Sequence, residues 1–388
     1  MLRARLSDGR FFFDEDRKVT LESRAARLER IVFFQGLGTQ ADRVARLRKL
    51  VGWLHGQTGW GETSALDQAA ALCKTDLTAG MVGEFPELQG IMGATYARLE
   101  GRPVQVYEAI EQHYWPKSAE ASIPRIAEGT LLALADRLDQ LVGFFGVGKE
   151  PTGTSDPFAL RRATIGTLRI LLETTASPAG GAGAQLRLDL RAALAEAQRC
   201  HAATPGSKVS QEPALLEKVW AFVTGRLEVL WKDRAPADAI AAALGTGARD
   251  VVLLQKRLDA LAAERTAQPE RFAAAAGAFK RIGNILGQAS EKKLPPMDFD
   301  LGLAKLRSEQ QLAQAHARAA AQVQAAAARE EFASAWAELA ELRPAVDRFF
   351  DEVMVMDPDP AIRDNRLALL RRVHELFAPL AEFGKLQI

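Results

Sequence analysis

The sequence is poor in several residue types, and each scarcity excludes a class of protein. Only two of its 388 residues are cysteines, Cys73 and Cys200, which are too few for a disulfide framework and favour a reducing compartment. No run of about 18 apolar residues is present, so no transmembrane helix is expected. No basic segment followed by an apolar one opens the chain as a secretory leader would. We therefore expect a soluble, cytoplasmic protein without a membrane partner.

An excess of charge of one sign is also lacking. Fifty Lys and Arg residues face 49 Asp and Glu residues, which leaves a formal net charge of +1. A chain of this balance has no global field that would attract a nucleic acid, so any basic surface must be local. Nothing in the sequence points to DNA as a partner.

Tyrosine is scarce, with 3 residues beside 18 Phe and 6 Trp, whereas Ala, Leu and Arg are abundant. This composition favours helix over sheet. No alternating apolar–polar run is long enough to predict a sheet. A chain of this length can form two or three domains. The sequence therefore predicts an all-α, multi-domain fold.

The clearest helical pattern is an apolar stripe along Leu131–Phe145, with Asp136, Asp139 and Gln140 on the opposite side. The segment Leu21–Leu54 predicts two helices, the second of which begins at Thr39 after a break at Gly36–Thr39.

Further along the chain, a Gly/Pro/Thr-rich loop at Gly146–Arg162 leads into another helix, which we expect to begin at Pro157 with Ser155 or Asp156 as its cap. Residues 303–341 are rich in Ala, Gln, Glu and Arg and predict one or two long helices with limited burial. The turn Met356–Pro360 separates a final helix pair.

Two possible chemical sites can be weighed from their residue types. The fragment Gly146–Lys149 lacks the preceding strand and the spacing of a phosphate-binding loop. A stronger possibility is a metal centre of the HD type, which needs a His-Asp doublet and a distant Asp. The doublet position is occupied by Thr75 and Asp76, and Asp136 is the distant aspartate.

Replacing the doublet histidine by a threonine hydroxyl removes most of the affinity for a transition metal. His55 and His113 are the nearest histidines. We therefore expect an HD-like scaffold without a bound metal, in which Asp76 and Asp136 hydrogen-bond helix ends or pair with Lys74 and Arg137. An active metal-dependent phosphohydrolase and a non-catalytic helical scaffold remain as alternatives.

Six sequence blocks occur in an order that resembles a known family across nearly all 388 residues. They are KTDLTAGMVGEFPELQGIMG (Lys74–Gly93), HYWP (His113–Pro116), Ile123–Gly148, Pro151–Gly166, FKRIGNIL (Phe279–Leu286) and Leu342–Leu370. These blocks resemble the β subunit of bacterial heterotetrameric glycyl-tRNA synthetase. The last two are similar to its C-terminal anticodon-binding domain, which is related to the DALR domains of other synthetases.

The resemblance implies a division of labour between subunits. The α subunit of this family carries the catalytic core, where ATP and Mg²⁺ are expected, and the β subunit recognises tRNA(Gly). It implies no catalytic residue and no cofactor in this chain. It also implies four segments: 1–20 as the tail of a missing upstream domain, 21–176 as an HD-like helical domain, 185–265 as a helical middle region and 266–388 as a DALR-like helical bundle.

We expect the tRNA contacts to have side chains that bind phosphates or unpaired bases. In the HD-like region they flank the Gly/Pro/Thr loop and are Lys149, Arg161 and Arg162. In the C-terminal domain they are Lys280, Arg281, Arg343, Arg363, Asn365, Arg366 and Arg371. The apolar neighbours Phe349, Phe350, Met354 and Met356 are expected to pack in the core.

Overall fold

Helices form nearly all the regular structure of the computed structural model, which describes residues 2–175, 185–290 and 298–387. The only sheet in these ranges is an antiparallel ribbon of two short strands, β1 (Val32–Phe34) and β2 (Gly38–Thr39). The all-α prediction is confirmed. None of the described helices has both the length and the apolar character needed to cross a membrane.

The chain divides into two compact units, of which unit 1 comprises Met1–Leu227 and Arg249–Val252, and unit 2 comprises Glu228–Ala248 and Leu253–Ile388. The helices of the first half are α1 (Leu2–Asp16), α2 (Leu21–Ala25), α3 (Gln40–Thr58), α4 (Thr63–Leu72), α5 (Gly80–Glu84), α6 (Ile91–Leu99), α7 (Val104–Gln112), α8 (Ala127–Gly146), α9 (Leu160–Glu173) and α10 (Leu190–Ala202). Those of the second half are α11 (Pro213–Trp231), α12 (Ala237–Leu244), α13 (Val251–Ala267), α14 (Pro269–Ser290), α15 (Arg307–Ala328), α16 (Phe332–Ala340), α17 (Arg343–Glu352) and α18 (Pro360–Glu375).

Helix α8 is the centre of unit 1. It corresponds to the predicted stripe, and helices α3, α7, α9 and α10 pack around it. The prediction of a polar outer face is wrong at two positions, because Asp136 and Asp139 are 7% and 1% exposed. Gln140 is half-buried. The carboxylates are buried because neighbouring helices supply arginine and lysine partners on that side, as described below.

Two predicted helix starts differ in their accuracy. Thr39 caps α3 as expected, since its hydroxyl accepts from the Asp42 amide while the Asp42 carboxylate accepts from the Thr39 amide. The first of the two helices predicted in Leu21–Leu54 is shorter than expected. Only α2 is helical there, and a 3₁₀ turn and the β1–β2 ribbon follow it.

Helix α9 begins at Leu160 rather than at Pro157. The Asp156 carboxylate accepts from the Leu160 and Arg161 amides and so caps this helix as predicted. Ala159, which lies between Asp156 and Leu160, has a left-handed backbone (φ 54°). The chain therefore turns once more before the helix begins.

Helix α1 contacts α5 within unit 1. The buried Asp16 carboxylate accepts from the Gly80 and Met81 amides at 2.8 and 2.9 Å and from the Tyr96 hydroxyl at 2.9 Å. It also pairs with Arg24 at 2.9 Å. These bonds fix the end of α1, while the assignment of residues 1–20 to an upstream domain stays a prediction, as do the other domain boundaries.

Unit 2 has an aromatic core. The rings of Phe279 (α14) and Phe377 lie 3.6 Å apart between centroids, and Phe383 and Trp336 pack beside them. Helices α15 and α16 occupy the predicted region 303–341, and the turn between α17 and α18 lies where expected. The predicted boundary at 177–184 and part of the Pro-rich loop at 294–300 lie outside the described residues.

Candidate functional site

The polar centre of unit 1 is organised around Lys74, which follows α4 and is 1% exposed. Its ammonium group donates to His113 Nε2 at 2.9 Å and to the Tyr114 hydroxyl at 3.1 Å, and it lies 3.1 Å from Asp136 Oδ1. It also lies 4.1 Å from the centroid of the Tyr114 ring. The buried ammonium group thus has two hydrogen-bond partners and one carboxylate partner.

His113 is fully buried and neutral. Its Nδ1 lies 2.6 Å from the Ile110 carbonyl oxygen, which can only accept, so Nδ1 carries the hydrogen and Nε2 accepts from Lys74. Burial, together with the adjacent Lys74 ammonium, lowers the pKa of His113 well below its ordinary value. The imidazole is therefore committed to the fold and is not a free base.

Asp136 and Asp139 form the anionic side of this centre. Asp136 Oδ1 lies 3.0 Å from Arg43 Nη2 in addition to Lys74, and Asp139 lies 2.5 Å from Arg46 Nε. Burial alone would raise the pKa of Asp136, but Arg43 and Lys74 outweigh it and hold the pKa well below the ordinary range. Burial likewise tends to raise the pKa of Asp139. The adjacent Arg46 lowers it by more, so the pKa of Asp139 is also below its ordinary value.

The other two degenerate HD positions are used locally. The Thr75 hydroxyl donates to the Leu72 carbonyl at 2.7 Å. Asp76 Oδ2 accepts from the Gly90 and Gly93 amides at 2.7 and 3.2 Å, which anchors the start of α6. The expected helix-end role of Asp76 is confirmed, and Asp136 pairs with Lys74 as expected but with Arg43 in place of Arg137.

These residues do not fit a divalent metal. An ammonium group already stands among His113, Tyr114 and Asp136, where a metal ion would need their lone pairs, and a second cation beside it would be repelled. His55 is engaged with Trp60 O and Thr63. Within the described ranges no three His, Cys, Asp or Glu residues are grouped so that they could hold a metal.

A pocket of about 320 Å³ opens in front of this centre. Its lining includes His113, Tyr114, Asp136 and Arg137 on the inner side. Arg137, which is 7% exposed, donates to five backbone carbonyls, among them Trp115 O at 2.6 Å. Burial lowers the pKa of Arg137 to about 10 because Asp136 compensates for only part of the lost hydration.

The pocket mouth carries two exposed cations, Lys117 and Arg162. Arg162 is a predicted tRNA contact, and neither residue has a side-chain partner among the described residues. Lys149 is likewise exposed. Arg161 is half-buried and donates to the Gly153 carbonyl at 2.5 Å, so its guanidinium supports the Gly/Pro/Thr loop.

The candidates in unit 2 fall into a surface group and a buried group. Arg343, Arg363 and Arg371 are partly exposed, and each makes an ion pair with a nearby carboxylate on its own helix, at 3.1, 3.2 and 3.3 Å. Lys280 is half-buried and donates to Leu386 O at 3.3 Å, whereas Arg281 is exposed and its guanidinium lies 4.2 Å over the Phe350 ring.

Asn365 and Arg366 are 5% exposed and belong to the interior, which corrects their choice as surface contacts. Asn365 exchanges two hydrogen bonds with the Asp300 backbone at 2.7 and 3.0 Å. Arg366 binds Glu309 at 2.6 Å and Asp357 at 2.7 Å. Their donors are occupied because they join α18 to Asp300 before α15, to Glu309 in the first turn of α15 and to Asp357 before α18.

The four apolar residues expected to pack in the core differ in their burial. Phe349 is fully buried as expected, and Phe350 is half-buried under Arg281. Met354 and Met356 are 62% and 55% exposed, so the prediction that they pack in the core is wrong. They lie between α17 and α18, where the chain runs over the surface.

Sequence reasoning missed the buried cations Arg43 and Arg46 altogether. The available signal was their position on α3, where they are buried together with the apolar residues Leu47 and Leu50 of the same helix. A charged residue on an apolar helix face predicts a buried partner, but the sequence does not say which carboxylate it is.

Comparison with known families gives two matches in chain order. A family model described as glycyl-tRNA synthetase beta subunit matches residues 1–245, and one described as DALR anticodon binding domain matches residues 276–381.

Curated proteins of similar sequence carry the name glycine–tRNA ligase beta subunit. That of Myxococcus xanthus is 42% identical over 399 residues, covering 100% of this chain and 54% of the relative. That of Anaeromyxobacter dehalogenans strain 2CP-C is 43% identical over 389 residues, and that of Acidithiobacillus ferrooxidans is 40% identical over 393 residues; they are covered to 53% and 54%. The chain spans about half the length of the curated relatives it matches.

Proposed function

Because this chain belongs to the family of glycyl-tRNA synthetase β subunits, we propose that it is the tRNA-recognition part of a glycine–tRNA ligase. The observation that carries the proposal is the order of the two matches, in which the β-subunit segment at 1–245 is followed by an anticodon-binding segment at 276–381. In this proposal the chain works beside an α subunit in the cytoplasm. The α subunit binds ATP and Mg²⁺ and attaches glycine to tRNA(Gly).

The exposed cations of unit 2 supply the contacts to the anticodon arm. Arg343, Arg363 and Arg371 pair with carboxylates at the surface, and such pairs are worth only about 0–1 kcal/mol, so exchanging the carboxylate for a phosphate costs little. The exposed Arg281 guanidinium lies 4.2 Å from the centroid of the Phe350 ring, and a guanidinium plane can also stack on an unpaired base.

In unit 1 the contacts come from Lys149 and Arg162, which are exposed near the Gly/Pro/Thr loop. Arg161 shapes the loop instead of contacting the tRNA. Neither His113 nor Asp136 acts as a nucleophile or base in this proposal, since the buried His113 accepts from Lys74 and Asp136 is paired with two cations. This arrangement favours a recognition role over a metal-dependent phosphohydrolase.

Fluorescence anisotropy with labelled tRNA(Gly) tests the proposal. At low salt the chain should bind tRNA(Gly), and Arg363→Gln should weaken binding several-fold because one phosphate contact is lost. Arg329→Gln is the matched control, since Arg329 is an exposed arginine of unit 2 that also pairs with a nearby carboxylate but is not a candidate contact.

Equal effects of the two substitutions would contradict the assigned surface. Absence of tRNA binding at low salt would overturn the proposal and leave a helical scaffold as the remaining function.

A further inference from the structure

The pocket in front of Lys74 has features of a ligand site that tRNA recognition does not explain. Its volume of about 320 Å³ lies at the lower end of the range for small-molecule pockets, which is about 300–1,000 Å³. The lining contains the apolar residues Pro86, Pro116, Ala159 and Ala163 beside its polar and charged residues. A ligand of matching chemistry has a flat or apolar part and a charged part.

The charge of the lining selects an anion. The charged side chains that reach the pocket are the cations Lys117, Arg137 and Arg162 and the anions Glu87 and Asp136. Asp136 is neutralised from behind by Arg43 and Lys74, at 3.0 and 3.1 Å. Glu87 is therefore the one carboxylate of this lining whose charge is not balanced by such an ion pair. The lining contains three cations beside it, so its net charge is positive.

Arg137 has no carboxylate partner in the part of the chain that the structure describes. Its guanidinium is held by the carbonyls of Ala133 and of residues 113–116, so its position is fixed while its positive charge is not cancelled by an ion pair. A buried cation fixed in this way beside an open pocket attracts an oxyanion strongly, because the surrounding medium screens it less than water does.

The Tyr114 hydroxyl adds a directed donor. Its oxygen accepts from Lys74 Nζ at 3.1 Å and from Gln89 Nε2 at 2.5 Å. With both bonds directed to the oxygen, the phenol hydrogen remains for an acceptor, and Tyr114 lines the pocket. The exposed Lys117 and Arg162 complete a set of donors suited to phosphate oxygens.

We propose that this pocket binds a phosphate ester of about mononucleotide size, with the phosphate between Tyr114, Lys117 and Arg162 and the base against the apolar lining residues Pro86 and Pro116. The ligand is bound and not hydrolysed, because the donors that would hold a metal are bonded to Lys74. Its source is either a free nucleotide or a nucleotide at the end of an RNA chain. The inference shares Arg162 with the proposed tRNA surface, whereas Lys117 is not among the tRNA contacts, so Lys117→Gln alone tests the pocket without changing a proposed tRNA contact.

Isothermal titration with AMP, adenosine and inorganic phosphate tests the pocket in the full chain. AMP should bind with a Kd of about 1 mM or tighter, and adenosine, which lacks the phosphate, at least tenfold more weakly. Lys117→Gln/Arg162→Gln should weaken AMP binding at least tenfold. Both positions are exposed, so the fold is retained. Arg98→Gln is the control, an exposed arginine at the far end of α6 that should leave AMP binding unchanged.

A second arm identifies the source. A short single-stranded RNA that displaces AMP from the parent chain, with the same dependence on Lys117 and Arg162, identifies the end of an RNA chain. AMP binding that the RNA does not displace identifies a free nucleotide. If AMP does not bind in the millimolar range, or if the double substitution leaves AMP binding unchanged, the inference is wrong. Either result leaves the proposed contacts of unit 2 to the anticodon arm untouched.

Discussion

At Lys74 a buried ammonium group satisfies three acceptors that would otherwise face one another across the interior. His113, Tyr114 and Asp136 each lie about 3 Å from Nζ. A buried amine of this kind needs such partners, because burial and the neighbouring Arg43 disfavour its charged form and lower its pKa, while Asp136 acts in the opposite direction. The lysine thus takes the structural place of a cation that a metal site would need.

Replacing Lys74 by methionine should therefore destabilise unit 1 strongly. The substitution keeps the side-chain length but leaves Asp136 with Arg43 alone, and breaking a buried ion pair costs about 3–5 kcal/mol. Urea unfolding followed by circular dichroism measures the loss in the free energy of unfolding. Lys149→Met is the control, since an exposed lysine should change it by no more than about 0.5 kcal/mol. Equal stability of the two variants would show that the buried lysine is dispensable.

His113 makes a specific contribution to the pH dependence of stability. Burial and Lys74 lower its pKa in the folded chain, whereas the unfolded chain titrates with the ordinary value of about 6.5. Below that pH the unfolded state binds a proton that the folded state does not, so the free energy of unfolding falls as the pH decreases through about 7 to 5. Asp136 and Asp139, with lowered pKa values, extend the loss below about pH 4.

The test is His113→Gln, which removes the titrating group and retains an acceptor for Lys74. Urea unfolding at several pH values between about 5 and 7.5 should give a flatter pH dependence for this variant than for the parent. Some slope should remain, because burial also lowers the pKa values of His316 and His374. An unchanged slope would mean that His113 is not held neutral in the folded chain.

The sequence predicted the roles of single residues whose partners lie only a few positions away in the chain. Thr39 was predicted as a cap, and Asp156 as one of two candidate caps, because a cap bonds to amides within five positions. The Lys74 centre was not found as a unit, because Lys74 and His113 are 39 positions apart and Arg46 and Asp139 are 93 apart. Pairings over such separations depend on how helices pack, which a single sequence does not specify.

At the scale of the element, α8 and α18 show that an amphipathic pattern predicts the presence of a helix well. The same pattern does not predict which side chains neighbouring elements will bury. The apolar stripe of α8 was recognised, but its polar side is buried too, because α3 brings arginines against it. On α18, Arg363 and Arg366 have the same side chain and are three positions apart. One is at the surface, and the other is 5% exposed and bound to Glu309.

This contrast within α18 gives a paired prediction. Arg366→Ala should lower the free energy of unfolding of unit 2 by about 3–5 kcal/mol, because it leaves Glu309 buried without its partner. Arg363→Ala should stay within about 0.5 kcal/mol. Thermal or urea unfolding of both variants measures this difference. If Arg366→Ala were as mild as Arg363→Ala, its ion pairs with Glu309 and Asp357 would be unimportant for the fold.

Across the whole molecule, composition predicted the fold class, and sequence blocks predicted the family. The exposed methionines, Met354 and Met356, were missed because their type predicts burial, while the turn that carries them crosses the surface. The candidate RNA surface was only partly predictable, since the side chains of Arg366 and Asn365 look the same in sequence as those of exposed contacts. Burial, and not residue type, separates the two groups.

The balance of charge in the whole chain leads to a last prediction, on ionic strength. With a net charge of +1, attraction to tRNA must come from a few local cations. Each phosphate contact contributes a slope of roughly −0.7 to −0.9 to log K against log salt, so four contacts predict a fall of roughly two orders of magnitude between about 50 and 200 mM salt. Anisotropy titrations at several salt concentrations measure this slope, and Arg343→Gln and Arg363→Gln should each reduce it by about one. A slope unchanged by both substitutions would move the tRNA surface away from α17 and α18.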